Sequence, residues 1–464
     1  MNKPILTNVA ALFLCIGVSA CASVPDAHKM LAQAEEESSP PIVMNAKGPL
    51  TAAQSQNLLV KRGASTALLQ HLAIEQTLAK APLVAGNSAH VLHDGKQTFR
   101  AMFAAIRGAH RYIYLEYFIL EDIKSDGVKL SSLLIKKRRE GVTINMIYDS
   151  FGSSSTPPSF FDHLKKNRIS VLQFNPLNPL MARNGYSPNS RDHRKILIVD
   201  GSTAIVGGVN LSTTYQSSPG KSSGPPGLSA AYWRDTDLEL KGPIVAQLEK
   251  LFLNHWINQD GPLLHRKKPL PEENYSRGTE IIRAVGSTPD KVIPVYYATL
   301  LSAIRHAQQR IWLNSAYFVP TDEQMDDLTD AAKRGVDVRI LVPDVSDSTM
   351  AVMVQHSHYE DLLEAGVKIY ESHNEILHSK TVVIDSVWSV IGSSNFDYRS
   401  VVFNDEVDTI VVGRATAREL EETFEKDTAK ARQIDLREWD RRPFAQKLHE
   451  KIEPFWTYVL QSYL

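Results

Sequence analysis

The chain has 464 residues, with 51 Lys plus Arg balanced against 52 Asp plus Glu. That neutrality gives no support to a nucleic-acid partner, which favours a basic domain. Cys15 and Cys21 are the whole cysteine complement, so a disulfide framework and a Cys-based metal site are excluded.

The chain opens Met1-Asn-Lys, continues through an apolar run from Val9 to Gly17, and reaches Val18-Ser-Ala-Cys21. A short basic start, a brief apolar core and small residues before a cut predict a secretory signal peptide over 1–20. A membrane span needs about 20 apolar residues. Val-Ser-Ala-Cys also resembles a bacterial lipoprotein signal. That implies a lipidated Cys21, anchoring the protein in the cell envelope and facing the periplasm or the outside.

Residues 21–80 read as a tether followed by a helical segment. From Ala22 to about Leu50 the composition is Glu, Ser, Pro and Ala, with no sustained hydrophobic period. From there to Lys80, Leu58, Leu59, Leu68, Leu69, Leu72 and Leu78 predict packing helices. Two stretches then follow, 81–262 and 263–464, that repeat one pattern.

In the first stretch a helix is expected over Thr98–Ala109, a strand over Arg111–Leu120, a helix through Lys137 and a strand over Val142–Tyr148. The second answers with a helix over Ala303–Gln309, a strand over Arg310–Val319, a helix over Asp322–Arg334 and a strand over Val336–Val342. Arg139-Glu-Gly-Val142 and Lys333-Arg-Gly-Val336 are matching turns with Gly as the helix cap. This alternation predicts an α/β fold with a mostly parallel sheet in each of two similar halves packed as one unit.

The repeat carries chemistry. His193, Lys195, Asp200, Gly207 and Asn210 stand at steps of two, five, seven and three, and His378, Lys380, Asp385, Gly392 and Asn395 repeat those steps. Between Lys and Asp lie the apolar runs Ile196–Val199 and Thr381–Ile384, which read as buried strands. Residues two apart on a strand share a face, so His193 projects with Lys195 and His378 with Lys380. Two imidazoles and two ammonium groups converging on one spot suit a phosphodiester. The lysines neutralise its non-bridging oxygens, one histidine attacks phosphorus and the other protonates the leaving oxygen, a division of labour that calls for no metal or cofactor.

The paired His-x-Lys-x4-Asp motifs resemble those of the phospholipase D superfamily. From about Pro82 to Leu464 the resemblance narrows to bacterial cardiolipin synthases, through Leu115-Glu-Tyr, Tyr148-Asp-Ser-Phe-Gly152, Arg191-Asp-His-Arg-Lys195, Ala316-Tyr-Phe-Val-Pro320 and Ile391-Gly-Ser-Ser-Asn-Phe-Asp-Tyr-Arg-Ser400. It implies two phospholipase D-like βαβ halves packed pseudo-symmetrically with the active site between them. It also implies a phosphatidyltransferase working through a phosphohistidine intermediate on phospholipids such as phosphatidylglycerol, at a membrane surface. It favours Asp235 and Glu406 as the carboxylates that orient the histidines, with His193 as the nucleophile. Asn210 and Asn395 are expected to help the lysines clamp phosphate, and Asp200 and Asp385, counted among the catalytic residues of the motifs, to brace each turn. The family often has two membrane helices at its N-terminus, and here the pattern departs. A phospholipase D or other phosphodiesterase using water, nucleases included, would need the same residues.

Two segments break the repeat beside the first motif. Asn175–Arg191 carries Leu177, Leu180, Met181 and Tyr186 among Pro and Asn, and is expected to meet acyl chains or to pack as a loop. Gln216–Ala230 is a Ser, Gly and Pro tract. Within it, Gly220-Lys-Ser-Ser-Gly224 has a hydrolase spacing but lacks the strand-turn-helix context. His356-Ser-His358 has a metal spacing with no identifiable third ligand.

Overall fold

A computed structural model describes residues 24–442, except 179, 181–185, 217–231, 263, 265–275, 290–293 and 374. The expected signal peptide, Cys21, the Gly220–Gly224 spacing and part of the Asn175–Arg191 insert lie outside the described residues.

The two halves have one strand order. In the first, β1 (Leu83–Leu92), β2 (Tyr112–Tyr117), β3 (Thr143–Asp149), β4 (Ser170–Phe174), β5 (Lys195–Val199), β6 (Thr203–Gly207) and β7 (Asp237–Lys241) lie in the order β4-β3-β2-β5-β6-β7-β1. The second half has β8 (Glu280–Ser287), β9 (Arg310–Asn314), β10 (Asp337–Pro343), β11 (Lys368–Ser372), β12 (Thr381–Ile384), β13 (Trp388–Gly392) and β14 (Asn404–Val412). Their order, β11-β10-β9-β12-β13-β14-β8, is the same. β1 joins the halves, since Ser88–Leu92 pair with β7 while Val84, Ala85 and Asn87 pair with β8.

Within these two seven-strand orders only β4-β3-β2 and β11-β10-β9 are parallel, and this corrects the expectation of a mostly parallel sheet. Parallel neighbours need a crossover of a dozen or so residues, but each motif strand turns straight back. Asp200-Gly-Ser202 links β5 to β6 and Asp385-Ser-Val387 links β12 to β13, closed by Ser202 N–H to Val199 O at 3.0 Å and Val387 N–H to Ile384 O at 3.2 Å. Asp200 and Asp385 take left-handed φ values of 54° and 51°, a conformation Asp tolerates better than most side chains.

Each sheet is buried on both faces, which is why the motif strands are continuously apolar. Leu197 and Val199 face a core with Phe99, Met102, Phe103 and Ile106 of α4 (Gly95–Arg107), whereas Ile196 and Ile198 face a layer shared by both halves. That layer holds Val245, Leu248 and Phe252 of α7 (Val245–Asn258) together with Val383, Ile391, Val407 and Val411. Burying a side chain such as Ile198, fully enclosed, stabilises the fold by about 1.5–3 kcal/mol. The paired turns also match. Gly141, after α5 (Leu130–Arg139), has φ +94°, and Gly335, after α9 (Asp322–Lys333), has φ +91°, each closing its helix with the left-handed cap.

The N-terminal region is more structured than its composition predicts. Where a tether is expected, α1 (Ala27–Glu36) forms, capped by the Asp26 side chain on the Lys29 amide. Ala27, Leu31 and Ala34 fall on one helical face and pack on Ile74 and Leu78 of α3 (Thr66–Ala79) and Ala298 and Leu301 of α8 (Val295–His306). α2 (Ala52–Lys61) starts with a Thr51–Gln54 capping box. α3 is latched to the second half by a buried network. Glu75 accepts from Arg283 Nη1 at 2.6 Å and Trp388 Nε1 at 3.0 Å, and His71 Nε2 lies 3.0 Å from its carboxylate.

Burial alone would raise the Glu75 pKa, but Arg283 and His71 hold it below the usual range. Its contribution is therefore present above the ordinary carboxylate pKa and lost as pH falls through the folded value. Glu75→Ala, which strands a fully buried Arg283, should destabilise the protein by about 3–5 kcal/mol. Urea unfolding near neutral pH measures this, and the difference from wild type should shrink in acid.

Candidate active site

Both motif histidines sit at the ends of their strands where the halves meet, 8% and 5% exposed. His193 is placed by β14 of the opposite half. Its N–H donates to Asp405 O at 2.9 Å, and its Nδ1 lies 3.1 and 3.0 Å from the Glu406 carboxylate oxygens. His378 is placed reciprocally, its N–H on Arg234 O at 2.7 Å and its Nδ1 2.6 Å from Asp235 Oδ2. The orienting carboxylates are thus exchanged between the halves. With Nδ1 held by a carboxylate, Nε2 is the nitrogen left to meet a substrate.

The lysines fold back beside their histidines. Lys195 Nζ donates to His193 O at 2.5 Å and lies 5.5 Å above the Phe118 ring, which packs edge-on against His193. Lys380 Nζ lies 2.8 Å from His378 Nδ1 and also donates to His378 O. Burial pushes Lys195 down to about 7, and Lys380 is lowered by the same cause. Burial likewise pushes His193 down to about 4 against the opposing pull of Glu406, and lowers His378, with Lys380 adding to the shift. A shift of that size favours a neutral His193 at physiological pH. An arriving phosphodiester anion supplies the countercharge that two buried ammonium groups need.

Glu406 is the most heavily bonded group of the site. Burial would raise its pKa, but His193, Lys195 and the Ser393 hydroxyl bring it below the usual value. Ser393 Oγ donates at 2.5 Å, Ser400 Oγ at 2.9 Å and Asn404 Nδ2 at 3.1 Å. Asp235 lies against Gly208, where a Cβ would collide with its carboxylate, and this requires glycine in the turn. The paired strand residues Asp237 and Asp408 are each pushed up to about 8 by burial. They brace the turns, with Val209 N–H on Asp237 and Ser394 Oγ on Asp408.

Asn210 and Asn395 face inward at the ends of their turns. Asn210 Oδ1 accepts Ile119 N–H at 3.1 Å and its Nδ2 lies 3.5 Å from Tyr215 OH, which in turn is 3.1 Å from His378 Nδ1. Asn395 N–H donates to Ser400 Oγ at 3.1 Å. Tyr215 and Ser400 each stand five residues after the motif Asn, a spacing visible in the sequence but not used in reading it. Phe118 flanks His193 without a sequence signal, and Tyr317, at the end of the expected strand Arg310–Val319, packs edge-on against His378.

Asp200 and Asp385 lie elsewhere. Their carboxylates accept the backbone amides of His110, Arg111 and Tyr112, and of Gln308, Gln309 and Arg310. Each stands five residues along an extended strand from its lysine, roughly 16 Å. The motif aspartates therefore brace turns and do not touch the reacting atoms, which corrects any reading of them as catalytic. Tyr117 packs in the core with its hydroxyl on Met102 Sδ, and Asn314 bonds to Thr381 Oγ1. His356 pairs with Glu371 Oε1 at 2.9 Å and packs against Trp439.

A family model described as "Cardiolipin synthase, PLD-like domain" matches residues 102–218 and 300–428, one segment in each half. The chain belongs to the cardiolipin synthase family. A cardiolipin synthase of Alkalihalophilus pseudofirmus is 33% identical over 400 residues, covering 85% of this chain and 76% of that protein. Cardiolipin synthase A of Pseudomonas fluorescens is 35% identical over 360 residues, covering 77% and 72%. The phosphatidylserine synthase structure from Haemophilus influenzae matches with a TM-score of 0.63 at 14% identity, over 84% of this chain and 99% of that one, a likeness of fold. This member of the family is thus a phosphatidyltransferase of the phospholipase D superfamily, with a doubled α/β fold.

Two substitutions separate the carboxylate roles. Asp235→Asn leaves a hydrogen-bonding group but favours the wrong His378 tautomer, and should lower kcat by about 10⁴, the scale of a comparable imidazole–carboxylate pair. Asp200→Ala should cost about 1–3 kcal/mol of stability through its orphaned amides and leave kcat within about twofold at a permissive temperature. Steady-state kinetics and thermal unfolding on both proteins decide it.

Proposed function

We propose that this phosphatidyltransferase forms cardiolipin by double displacement, with phosphatidylglycerol as both donor and acceptor. The observation that carries the reading is the pair of crossed histidine–carboxylate contacts, which hold one neutral imidazole and one acid–base imidazole in a site with two lysines. In the first step His193 Nε2 attacks phosphorus, the P–O bond to the glycerol headgroup breaks, and His378 gives its Nε2 proton to the departing oxygen. In the second, an acceptor hydroxyl attacks phosphorus, its proton passes to His378, and the P–N bond breaks. Lys195, Lys380, Asn210 and Asn395 offset the charge that builds on the non-bridging oxygens. General acid catalysis typically contributes about 10²–10⁴-fold, so this clamp and the covalent route must supply much of the remainder.

A membrane surface is the setting that fits best. Leu177 and Leu180, in the insert before His193, are 55% and 94% exposed, and acyl chains would cover them. No helix among the described residues is long and apolar enough to cross a membrane. The Val18-Ser-Ala-Cys21 sequence supports a lipid anchor on Cys21, placing the enzyme on an envelope membrane.

Water and an alcohol resolve a phosphohistidine with the same residues. The acceptor must be held at high effective molarity to win against water at about 55 M. Incubated with phosphatidylglycerol vesicles, the enzyme should release glycerol and make more cardiolipin than phosphatidic acid, as read by lipid mass spectrometry. Deleting Leu177–Leu180 should shift the ratio towards phosphatidic acid before donor consumption falls. Predominant phosphatidic acid from the intact enzyme would replace transfer with hydrolysis.

A further inference from the structure

Beside the first motif lies a buried polar cluster that the second motif lacks. Arg194, between His193 and Lys195, donates from Nη1 to Glu116 Oε1 at 3.3 Å, from Nη2 to Ser287 O at 3.3 Å and Asp405 Oδ1 at 3.2 Å, and from Nε to Glu406 O at 3.2 Å. Glu116 Oε1 is also 2.6 Å from His255 Nδ1, and Asp192 Oδ2 is 3.9 Å from that nitrogen. Glu116 and Asp192 are fully buried. At the corresponding places of the second motif stand Asn314, Leu377 and Ser379. Leu377 packs with Trp312, Leu341 and Phe424, and Ser379 Oγ bonds to Thr236 Oγ1. The fold is thus complete without such a cluster, and its presence on one side distinguishes His193 from His378.

One proton would close it. Glu116 Oε2 and Asp192 Oδ2 are buried with no hydrogen-bond partner in the described protein, and carboxylate oxygens of the two residues lie within 4.8 Å of each other. Carboxylates only accept, and two buried carboxylates this close oppose each other's charge, so one hydrogen between them would satisfy both oxygens. Glu116, Asp192 and His255 bring ligand atoms within 4.8 Å of one another, as a metal site would, but Arg194 already lies against Glu116. We propose that Glu116 and Asp192 share one proton, and that this dyad, through Arg194, positions the Glu406–His193 pair for the transfer reaction.

The route is short. Arg194 grips Asp405 and the Glu406 carbonyl, while Asp405 O takes the His193 N–H and the Glu406 carboxylate takes Nδ1. Losing the shared proton sets two buried carboxylates against each other and pulls Arg194 from β14 towards them. The groups facing the dyad are Arg194 from the motif, His255 from α7, Asp405 and Glu406 from β14, and Asp149 from the end of β3, which accepts the Asp192 N–H at 3.0 Å and lies 3.9 Å from Arg191. Burial pushes Glu116 up to about 7 and Asp192 well above the carboxylate range, so the proton is retained in acid and lost as pH rises. Activity should therefore fall on the alkaline side.

The inference rests on the proposed histidine chemistry, so the test reads donor consumption, which is independent of whether lipid or water is the acceptor. An active His193→Asn would sink that chemistry itself. kcat and KM are measured from about pH 5 to about pH 10 for wild type, Glu116→Gln and Asp192→Asn. Each amide supplies a permanent donor in place of the shared proton. The alkaline midpoint should move up by about one unit or more in each, with kcat near pH 6 within about tenfold and KM little changed. Arg194→Lys, which keeps the charge but loses the fork, should lower kcat at every pH. Two independent amide variants keep the test open if one fails to fold. An unchanged alkaline midpoint in a folded amide variant would overturn the proposal and leave Lys195 to set that limb. A stoichiometric divalent metal in the purified wild type, lost in Glu116→Gln, would overturn it in favour of a metal centre.

Discussion

Each catalytic histidine of this phosphatidyltransferase takes its orienting carboxylate from the opposite half of the chain, His193 from Glu406 and His378 from Asp235. The exchange extends to the backbone, where the motif segments add to the partner half as short strands. Arg191 and Asp192 pair with Asn404 and Asp405, and Tyr232–Arg234 pair with Glu375–Leu377. Neither half alone can set a tautomer or aim a ring. The shared apolar layer between the sheets is therefore a catalytic requirement as well as a source of stability, because a small slip between the halves would break both pairs together.

Burial explains the electrostatics. Taking two lysines and two imidazoles out of water lowers the affinity of each for protons, and the nearby carboxylates only partly restore it. The result is a site that is short of negative charge until a phosphodiester enters. An incoming anion favours the protonated forms of Lys195, Lys380 and His378. Burial pushes Asp237 and Asp408 towards their neutral forms, which keeps further negative charge out of the turns that carry Asn210 and Asn395.

Much of this was legible before any coordinates. The steps from His193 to Asn210 and from His378 to Asn395 disclose the repeat, and the period of a strand places His beside Lys. The exchange of Asp235 and Glu406 was not legible, because a spacing along one chain says nothing about which half a side chain faces. α1 was hidden by its Glu-rich composition, although Ala27, Leu31 and Ala34 already mark one helical face. The antiparallel part of each sheet was legible in the short Asp200 and Asp385 links, which leave no room for a crossover. Arg194 reads as one more basic residue in a basic motif. Its role depends on Glu116 and His255, distant in sequence and brought to it only by the fold.

The central claim is that one histidine carries the phosphatidyl group while the other moves protons, in a single site. His378→Asn removes the proton carrier that both steps need and should leave no label on the enzyme. Mixed with phosphatidylglycerol labelled in its phosphatidyl part, quenched in base within the first turnovers and digested, the wild-type enzyme should yield a labelled peptide containing His193, identified by tandem mass spectrometry. Label on any other residue, or none on the enzyme while labelled lipid product still forms, would contradict the account.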